Sequence, residues 1–471
     1  MESIEDYILR ITRLANRNKE LNEQLQGLVG RYELIQKQNE KYLNLLSEHS
    51  FEDIEKRLTS LKARDRLKKF KMVSILFANF HGFDELSSRP DAQRLIDTLD
   101  DLYREFDKIA KKYGIIKIKT IGDSFLFAAG MLEENRTNPI DIVRAALEMQ
   151  DTVKKNIING DKEPFWKVSM GIHTGPVLGK STGKKKTPYS ISGESANIAS
   201  RIGRASKPGK INISVMTYEL VKEFFSFESA GELPVKYNGS LGMYRVKGIL
   251  PAFQAEDDPL EINRSFHTKY GLIQFLDIQE ELLDIMERKL PKNLYYHNIK
   301  HTIDVITEVE LIGWAEGLTE EDILLLKLAA LFHDSGHTIS YKDHEEHGAK
   351  IARDILTNYN YPKEHIDTVC RLIMSTKFPP SPKDKLEEVI CDSDLDYLGR
   401  SDFIPVSNML YKELKENNMI GSWEEWNQLQ LNFIKSHQYY TETARNLREV
   451  NKQNQINRLQ ELIKSEINQA S

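Results

Sequence analysis

Three short segments in the second half of the chain constrain it most: YYHNIKH, AALFHDSGH and ICDSDLDYLG. They lie in a region whose pattern predicts helices throughout, and they carry His297, His301, the pair His333–Asp334 and the carboxylates Asp392, Asp394 and Asp396. Imidazole and carboxylate groups together make a mixed nitrogen and oxygen shell, which suits Zn²⁺, Mn²⁺ or Fe²⁺ and leaves positions open for water. Because such an ion makes water a source of hydroxide at neutral pH, the segments predict hydrolysis of a phosphate ester.

An alternative is that these histidines cap helices or lie satisfied in a core. The position of His333–Asp334 argues against it, because the pair directly follows the apolar run ILLLKLAALF. An unpaired carboxylate is costly to bury at the end of such a run. The pattern therefore favours a metal site over a purely structural role.

Over about residues 263–450 the chain resembles the HD-domain phosphohydrolases, and YHNIKHTIDV resembles the YHNxxHxxDV signature of animal-type cyclic-nucleotide phosphodiesterases. The resemblance implies an all-α HD domain with divalent ions (Mn, Fe, Zn or Mg) as cofactors. It implies that Asp334 bridges two ions and that the first ion is held by four side chains: His301, His333, Asp334 and Asp394. It also implies that His297 is the general acid that protonates the departing 3′ oxygen, a role that imidazole can fill near neutral pH.

Two parts of this ligand set stay open. Asp392 rivals Asp394, because the run CDSDLD offers carboxylates at alternate positions. The second metal has His337 as a candidate ligand, together with the neighbouring pair His344 and Glu345.

The same region contains two candidate residues for binding the purine base of a nucleotide substrate. Gln430 and Phe433 lie three residues apart in the segment LQLNFI, on one face of a predicted helix. A glutamine and a phenylalanine at that spacing clamp the purine in the phosphodiesterases, so the resemblance implies nucleotide binding by this pair. A plain amphipathic helix explains both residues equally well.

Composition limits the partners of the chain. Its 471 residues have room for two or three domains, and charged residues make up 29% with a net charge of only −6. This balance predicts no general attraction to nucleic acid or to anionic membranes. Two cysteines, Cys370 and Cys391, predict neither a disulfide framework nor a thiolate metal site. With no apolar run near the ~20 residues of a membrane span and an acidic first segment, we expect a cytoplasmic protein without membrane insertion.

The first fifty residues repeat apolar side chains at alternating spacings of three and four. Asn18 and Asn39 interrupt the repeat, and both fall at the a position of the heptad. Buried asparagines at a positions favour a parallel two-stranded register at some expense of stability. The pattern predicts a parallel homodimeric coiled coil, with a surface helix packed on its own domain as the alternative.

The next part of the chain alternates strand-like and helix-like patterns, which predicts a mixed α+β domain. A strand-like run, MVSILFANF, is followed by a helical stretch at about 91–113 and by the run IIKIKTIGDSFLFAAG. This run predicts a hairpin with Gly122–Asp123 at its turn. A carboxylate that projects from a hairpin near the first strand is suited to a Mg²⁺–triphosphate site.

From about residue 68 to 249 the chain resembles the class III nucleotide cyclases. The resemblance rests on four segments in order: VSILFANFHGF, IKTIGD, GIHTGPV and SGESANIASR. It implies a ferredoxin-like α+β fold in which two chains pair head to tail, so that each active site takes residues from both. Asp123 and Asn79 would then lie at the Mg or Mn ions, Lys119 and Ser190 at the base, and Asn197 and Arg201 at the ribose and the transition-state phosphate. A hydroxyl at Ser190 beside a lysine favours ATP over GTP.

The chain departs from the cyclase pattern at Asn79, where active cyclases carry an aspartate. An amide offers one carbonyl oxygen, but it cannot neutralise a Mg²⁺ ion or bridge two ions as a carboxylate does. Two-metal activation of the 3′ hydroxyl therefore loses most of its electrostatic basis. We expect nucleotide binding with weak or absent cyclase activity.

Together these patterns predict a multidomain chain, divided into a coiled coil with a connecting helix at 1–66, a cyclase-like domain at 67–249, a linker at 250–262 and an HD domain with a helical C-terminal tail at 263–471. The predicted function is a homodimeric, cyclic-nucleotide signalling enzyme that hydrolyses cAMP and dimerises through the coiled coil and the cyclase-like domain. Two alternatives remain: a bifunctional adenylate cyclase and phosphodiesterase, or a catalytically silent module gated by a nucleotide.

Overall fold

The computed structural model describes residues 68–86, 89, 91–121, 123–157, 163–181, 189–235 and 239–470. The predicted coiled coil and connecting helix at 1–66 lie outside the described residues. Contacts divide the chain into a small unit, residues 1–70 and 178–192, and a large unit, residues 71–177 and 193–471. The large unit contains both the sheet-forming and the all-helical part of the chain.

The first described part is built around a mixed sheet. The order across the sheet is β2-β3-β1-β4-β6-β8-β7, and β5 pairs with the end of β4. Neighbouring strands are antiparallel except β4 and β6, which are parallel. The strands are β1 (Lys68–His81), β2 (Ile116–Ile121), β3 (Ser124–Ala129), β4 (Lys167–Ser181), β5 (Tyr189–Ser192), β6 (Ile211–Ser214), β7 (Phe225–Val235) and β8 (Gly239–Ile249).

The hairpin predicted from IIKIKTIGDSFLFAAG is present as β2 and β3. These strands pair antiparallel, and β3 also pairs with β1 so that Ser124 lies opposite Asn79. Every residue of β3 is buried, because the strand lies between two neighbours and its apolar side chains enter the core. Asp123 directly precedes β3, so the hairpin brings its carboxylate to the end of β1.

Five helices cover this sheet: α1 (Phe83–Leu86), α2 (Ala92–Lys112), α3 (Asn138–Lys155), α4 (Glu194–Ala205) and α5 (Val215–Val221). Leucines and a phenylalanine spaced at three and four residues give α2 one buried face. Gly171 of β4 allows α4 to lie close to the sheet, because a Cβ atom there would overlap the backbone of Ala199 and Gly203. The mixed α+β architecture agrees with the sequence-based prediction.

The C-terminal part is helical throughout its described length, as predicted. Its helices are α6 (Arg264–Lys289), α7 (Ile299–Ala315), α8 (Glu320–Phe332), α9 (His344–Asn358), α10 (Lys363–Ser375), α11 (Lys385–Asp394), α12 (Phe403–Glu416), α13 (Trp423–Ser436) and α14 (Glu442–Ala470). Helix α8 is its most buried element, and a Thr319–Asp322 capping box begins it. Of the helices that the structure describes, none is both long and apolar enough to cross a membrane.

Helix α6 belongs to both hydrophobic cores. Near its start Phe266 packs in the core of the sheet part, whereas Phe275 and Ile278 pack in the core of the helical part. Arg136 of the sheet part contacts the same helix, because its backbone N–H donates to Asp277 at 2.8 Å and its guanidinium pairs with Glu280 at 2.9 Å. The helix therefore joins the two parts through packing and polar contacts.

A further polar contact between the sheet part and α6 joins Asp141 of α3 to Tyr270. The tyrosine hydroxyl donates to the Asp141 carboxylate at 2.9 Å, and burial raises the pKa of Asp141 to about 6. Since the pKa in the folded protein exceeds that of the unfolded chain, the folded state gains protons relative to the unfolded state between these values. The stabilisation linked to this proton is fully present at low pH and is lost as the pH rises through about 6.

We therefore predict that Asp141→Asn becomes more stable relative to the natural protein as the pH rises from about 4 to about 7. The change across this range is about 1–3 kcal/mol in the free energy of unfolding. Thermal unfolding at several pH values measures it, with Asp97→Asn, on the exposed face of α2, as the charge-matched control. A difference between natural protein and Asp141→Asn that is the same at every pH contradicts the prediction.

Candidate functional site

Four predicted side chains converge where three helices of the C-terminal part meet. His301 lies in the first turn of α7, His333 ends α8 and Asp394 ends α11. His301 Nε2 is 3.0 Å from Asp394 Oδ1 and 3.4 Å from His333 Nε2. Asp334 completes the group, because its Oδ2 atom is 3.2 Å from His333 Nε2 and 3.6 Å from His301 Nε2. We call these four residues the metal-ligand cluster.

The donor set of this cluster fits a divalent cation. Asp334 is 3% exposed, and its Oδ2 atom is buried without a hydrogen-bond partner among the described residues. His333 uses Nδ1 to contact the carbonyl oxygen of Ala330 at 2.8 Å, which leaves Nε2 directed at the cluster. An imidazole oriented by a second-site hydrogen bond and a buried carboxylate are the arrangement that metal sites require.

The electrostatics of the cluster point the same way. Burial by itself would raise the pKa of Asp334, but the adjacent His333 and His297 hold it well below its usual range. Burial likewise opposes ionisation of Asp394, yet hydrogen bonds with His301 and His333 lower its pKa. The same carboxylates raise the pKa of His333, so positive imidazole charge balances them, and a divalent cation could take the place of the proton on this ring.

A second group of histidines lies on the other side of Asp334. Its Oδ1 atom is 3.6 Å from His344 Nε2 and 3.9 Å from His337 Nε2, and the two imidazole rings stack with centroids 4.0 Å apart. Both ring nitrogens of His337 are buried without a hydrogen-bond partner in the part of the chain that the structure describes. Burial lowers the pKa of His337 to about 3, so its ring is neutral and a lone pair is free to bind a cation. Asp334 therefore faces two nitrogen-rich groups, one through each oxygen.

His297, the predicted general acid, lies beside this second group and is paired with Glu413 of α12. The ring Nδ1 contacts the Glu413 carboxylate, whose other oxygen accepts the backbone N–H groups of Tyr296 at 2.9 Å and His297 at 3.1 Å. Burial by itself would lower the pKa of His297, but the carboxylates of Asp334 and Glu413 raise it. The pair holds a proton on the imidazole at the edge of the cluster.

Glu413 is a residue that sequence reasoning missed. It is fully buried and also accepts a hydrogen bond from the Tyr341 hydroxyl at 3.2 Å. It lies 116 residues after His297 in a charged helix, LYKELKE, where it cannot be told from its solvated neighbours. In the sequence of an amphipathic helix, nothing distinguishes a single buried glutamate from the exposed ones around it.

The rival carboxylates of CDSDLD have other partners. Asp392 accepts hydrogen bonds from the backbone N–H groups of Tyr440 and Thr441, at 2.9 and 2.7 Å, and burial raises its pKa to about 6. Asp396 accepts a hydrogen bond from Arg448 Nε at 2.5 Å. Only Asp394 of the three turns toward His301 and His333. The geometry therefore assigns Asp392 to holding the chain before α14.

Gln430 and Phe433 lie on α13, and their surroundings link them to the cluster. The Ser407 hydroxyl donates to Gln430 Oε1 at 2.5 Å, and the ring of Phe433 lies edge-on to Phe378 with centroids 5.7 Å apart. Phe433 packs against the same apolar cluster as Tyr397, whose ring is 5.3 Å from that of Tyr296. Tyr296 in turn precedes His297.

In the sheet part, the predicted metal residues Asn79 and Asp123 share one hydroxyl group. The Ser124 Oγ atom is 2.6 Å from Asn79 Oδ1 and 3.0 Å from Asp123 Oδ1. The backbone carbonyl of Asp123 also accepts the N–H of Phe80 at 3.0 Å, which fixes the hairpin turn against β1. The amide and the carboxylate thus lie close together, with only one formal negative charge between them.

The other residues that the cyclase resemblance assigns to nucleotide binding or catalysis are exposed on the sheet part. Lys119 lies on β2, and Asn197 and Arg201 lie one turn apart on α4. The Arg201 guanidinium donates to the carbonyl oxygen of Pro234 within the same chain. Ser190 pairs with Lys180 in the small unit of the chain.

Two family models match the chain. Residues 66–248 match the adenylate and guanylate cyclase catalytic domain, and residues 298–401 match the HD domain. Domains of both families generally bind divalent metal ions, which agrees with the donor set of the metal-ligand cluster.

Individual relatives resemble the first of these segments. A membrane guanylyl cyclase of Dictyostelium discoideum is 32% identical over 213 residues, which are 45% of this chain and 14% of the relative. The alpha-1 subunit of soluble guanylate cyclase from Rattus norvegicus is 32% identical over 174 residues, 36% of this chain and 25% of the subunit. The chain thus spans a quarter or less of the length of these relatives. Among solved structures, the chain resembles the guanylate cyclase domain of RhGC from Catenaria anguillulae in complex with GTP, with 29% sequence identity and a TM-score of 0.35. The match covers 39% of this chain and the whole of the solved domain.

We predict that Asp394→Asn loses bound metal whereas Asp392→Asn keeps it. The first change removes an ionised oxygen that faces two imidazoles, and the second weakens only hydrogen bonds to the backbone before α14. Elemental analysis after gel filtration measures metal per chain. Equal metal content in the two variants, or loss in Asp392→Asn alone, contradicts the assignment.

Proposed function

Because the chain carries a class III nucleotide cyclase catalytic domain followed by an HD domain, we propose that it is a dimeric, cytoplasmic enzyme of cyclic-nucleotide signalling. In this proposal the HD domain hydrolyses a 3′,5′-cyclic nucleotide, with cAMP as the expected substrate. The observation that carries it is the metal-ligand cluster with a protonated imidazole at its edge. The cyclase-like domain binds ATP or a related nucleotide and has weak or no cyclase activity.

His301, His333, Asp334 and Asp394 would hold the first ion, and Asp334 with His337 and His344 would hold the second. Divalent ions bound there (Mn, Fe, Zn or Mg) would supply Lewis-acid activation of water and of the phosphate. The pKa values of the two carboxylates are lowered and that of His337 is about 3, which favours the forms that bind cations, whereas the same carboxylates raise the pKa of His333, so an ion bound there would displace a proton from this imidazole. The buried apolar end of α8 carries His333 and Asp334, whose side chains are almost fully shielded from solvent, whereas Asp394 at the polar end of α11 is partly exposed.

His297 has the features of a general acid for the leaving 3′ oxygen. Glu413 orients its ring and stabilises its charged form, so a proton is available at the Nε2 atom on the side away from Glu413. Tyr341 and two backbone N–H groups fix Glu413 in turn. The departing alkoxide of a cyclic phosphate is a poor leaving group, and protonation by a positioned imidazole removes this barrier.

Gln430 and Phe433 are proposed to bind the purine. Phe433 offers an aromatic face next to Phe378, and the Nε2 atom of Gln430 has no hydrogen-bond partner among the described residues. An aromatic face with one amide group is a common arrangement for a planar base. The shared apolar cluster with Tyr397 connects this pair to His297 through Tyr296.

We predict that His297→Gln lowers kcat for cAMP hydrolysis by about 10²–10⁴-fold, the range typical of a lost general acid, without loss of bound metal. The same variant loses much less activity on bis(4-nitrophenyl) phosphate, since 4-nitrophenolate departs without protonation. Chromatography of AMP and absorbance of 4-nitrophenolate measure the two reactions.

His365→Gln is the matched control, because His365 is also a buried histidine paired with a glutamate, Glu321, at 2.7 Å. It leaves both reactions unchanged. An equal loss on both substrates in His297→Gln would argue for a structural or metal-binding role of His297 instead. Absence of any hydrolysis by the natural protein loaded with Mn²⁺ would overturn the proposed function.

For the cyclase-like domain, Asn79 supports weak or absent turnover. Its amide oxygen accepts the Ser124 hydroxyl and adds no negative charge beside Asp123. The presence of Lys119, Asp123, Asn197 and Arg201 supports retained nucleotide binding, and it keeps the bifunctional enzyme as the second candidate. Pairing of two chains would bring the exposed Asn197 and Arg201 of one protomer to Asp123 of its partner.

We predict that Asn79→Asp raises formation of cyclic nucleotide, because a carboxylate restores the charge that two divalent ions require. Incubation with Mn²⁺ and either ATP or GTP, followed by chromatography, measures the product for each base. His301→Ala in the same chain prevents the product from being hydrolysed.

Two controls accompany this measurement. Asp123→Ala removes any activity gained, and Asn156→Asp at the end of α3 adds the same charge outside the site. If Asn79→Asp forms no more product than Asn156→Asp, the amide is not what limits the domain. Strong cyclase activity in the natural protein favours the bifunctional enzyme.

A further inference from the structure

A groove lies between the end of α13, the segment 437–441 and α14, apart from the metal-ligand cluster. Its volume is about 550 Å³, within the range of small-molecule sites. None of the proposed metal ligands lines it. Two isoleucines and nine residues with polar or charged side chains line it: Ile434, Lys435, His437, Gln438, Tyr439, Arg445, Glu449, Lys452, Gln453, Ile456 and Gln460.

The groove carries net positive charge. Lys435, Arg445 and Lys452 line it against a single carboxylate, Glu449, which gives a formal charge of +2. Lys452 is only 3% exposed although its carboxylate partner Glu449, at 2.8 Å, is half exposed. The buried ammonium group is thus balanced by one carboxylate that solvent screens, and an anion in the groove would add a second, less screened partner.

Lys452 is held in place by its surroundings. Its ammonium group donates to the carbonyl oxygen of His437 at 2.8 Å and lies 5.0 Å from the centre of the Tyr439 ring. Arg445 donates to the carbonyl oxygens of Tyr439 and Tyr440, at 3.2 and 3.0 Å. Two of the lining cations are therefore held by backbone carbonyls at the wall of the groove.

His437 adds hydrogen-bonding groups that are not used within the described part of the chain. Both of its ring nitrogens are buried without a hydrogen-bond partner. Its ring packs edge-on against Tyr439, with centroids 4.6 Å apart. A ligand with oxygen atoms would satisfy a buried donor that otherwise remains unpaired.

From this arrangement we infer that the groove binds a soluble phosphate-bearing small molecule. Three cations and an unpaired imidazole match the several oxygens of a phosphate or pyrophosphate group, and charge-assisted hydrogen bonds to such oxygens are the strong ones. The volume leaves room for more than a phosphate group alone, so a nucleotide or a metabolite of similar size fits.

The position of the groove makes its ligand an effector of the HD domain, an extension that rests on the proposed function. Arg448 of α14 pairs with Asp396, two residues after Asp394, and a Cβ atom at Gly399 would overlap Arg448. The opposite wall is α13, which carries Gln430 and Phe433. Displacement of either helix by a bound anion would reach the cluster or the proposed purine site.

Calorimetric titration with pyrophosphate tests the binding in the full-length protein carrying Lys119→Ala and Arg201→Ala, two changes that weaken the proposed nucleotide site of the cyclase-like domain. The groove variants and their reference protein all carry these two changes. Lys435→Gln removes an exposed cation of the groove and weakens binding about tenfold, the loss of one charge-assisted hydrogen bond. Lys452→Gln weakens it at least as much. Lys464→Gln, which removes an exposed lysine of α14 outside the groove, leaves binding unchanged.

An Asp394→Asn variant separates this site from the metal-ligand cluster. Binding that persists in Asp394→Asn and weakens in Lys435→Gln supports the proposal whether or not cAMP is hydrolysed. Binding that is equal in the reference protein and Lys435→Gln, or that disappears in Asp394→Asn, overturns it. Retention on phosphatidylserine vesicles without binding of soluble pyrophosphate also overturns it, because a lipid headgroup would then be the ligand.

Discussion

The buried carboxylate of Asp334 is the constraint on which the helical part of this protein depends. It follows α8, whose residues 323–326 and 328–332 are all buried, so the chain delivers a charge into the interior. An isolated charge there would be several kcal/mol unfavourable. Four imidazoles surround it instead. Those of His301 on α7 and His333 at the end of α8 face one carboxylate oxygen, and those of His337 in the turn after α8 and His344 on α9 face the other. The packing of α7, α8 and α9 therefore serves one electrostatic requirement.

Glu413 of α12 meets a similar need for a counter-charge next to this group of residues. A protonated His297 beside the cluster needs its own counter-charge, and Glu413 provides it from a helix that also carries Ser407, the partner of Gln430. One helix thus orients the proposed acid and the proposed purine-binding amide together. Helix α6 has a similar double role on a larger scale, because its two halves belong to the cores of the cyclase-like and the HD domain. The two domains thus share one packed helix.

Much of this arrangement could be predicted from local patterns. The β2–β3 hairpin follows from turn residues between two apolar runs, and the helical C-terminal part follows from apolar periodicity; the structure has both. The sequence also predicts that the histidines and carboxylates of the metal-ligand cluster lie together, because each belongs to a short motif. Glu413 could not be found in this way, since a glutamate in a charged helix looks solvated until α12 packs against His297. The choice between Asp392 and Asp394 likewise needed the backbone N–H groups of Tyr440 and Thr441.

The sequence by itself determined the two domain families and their order, because residue types and short spacings decide which ligands, turns and helices are available. The sequence also shows that position 79 carries a neutral amide where active cyclases have a carboxylate. Only the tertiary structure decided which of these groups meet, which carboxylates are ionised and which cations line the groove beside α14. Contacts between residues far apart in the chain depend on how helices pack, and the pKa of each of these groups is set by its burial together with the charges and hydrogen bonds that packing brings to it.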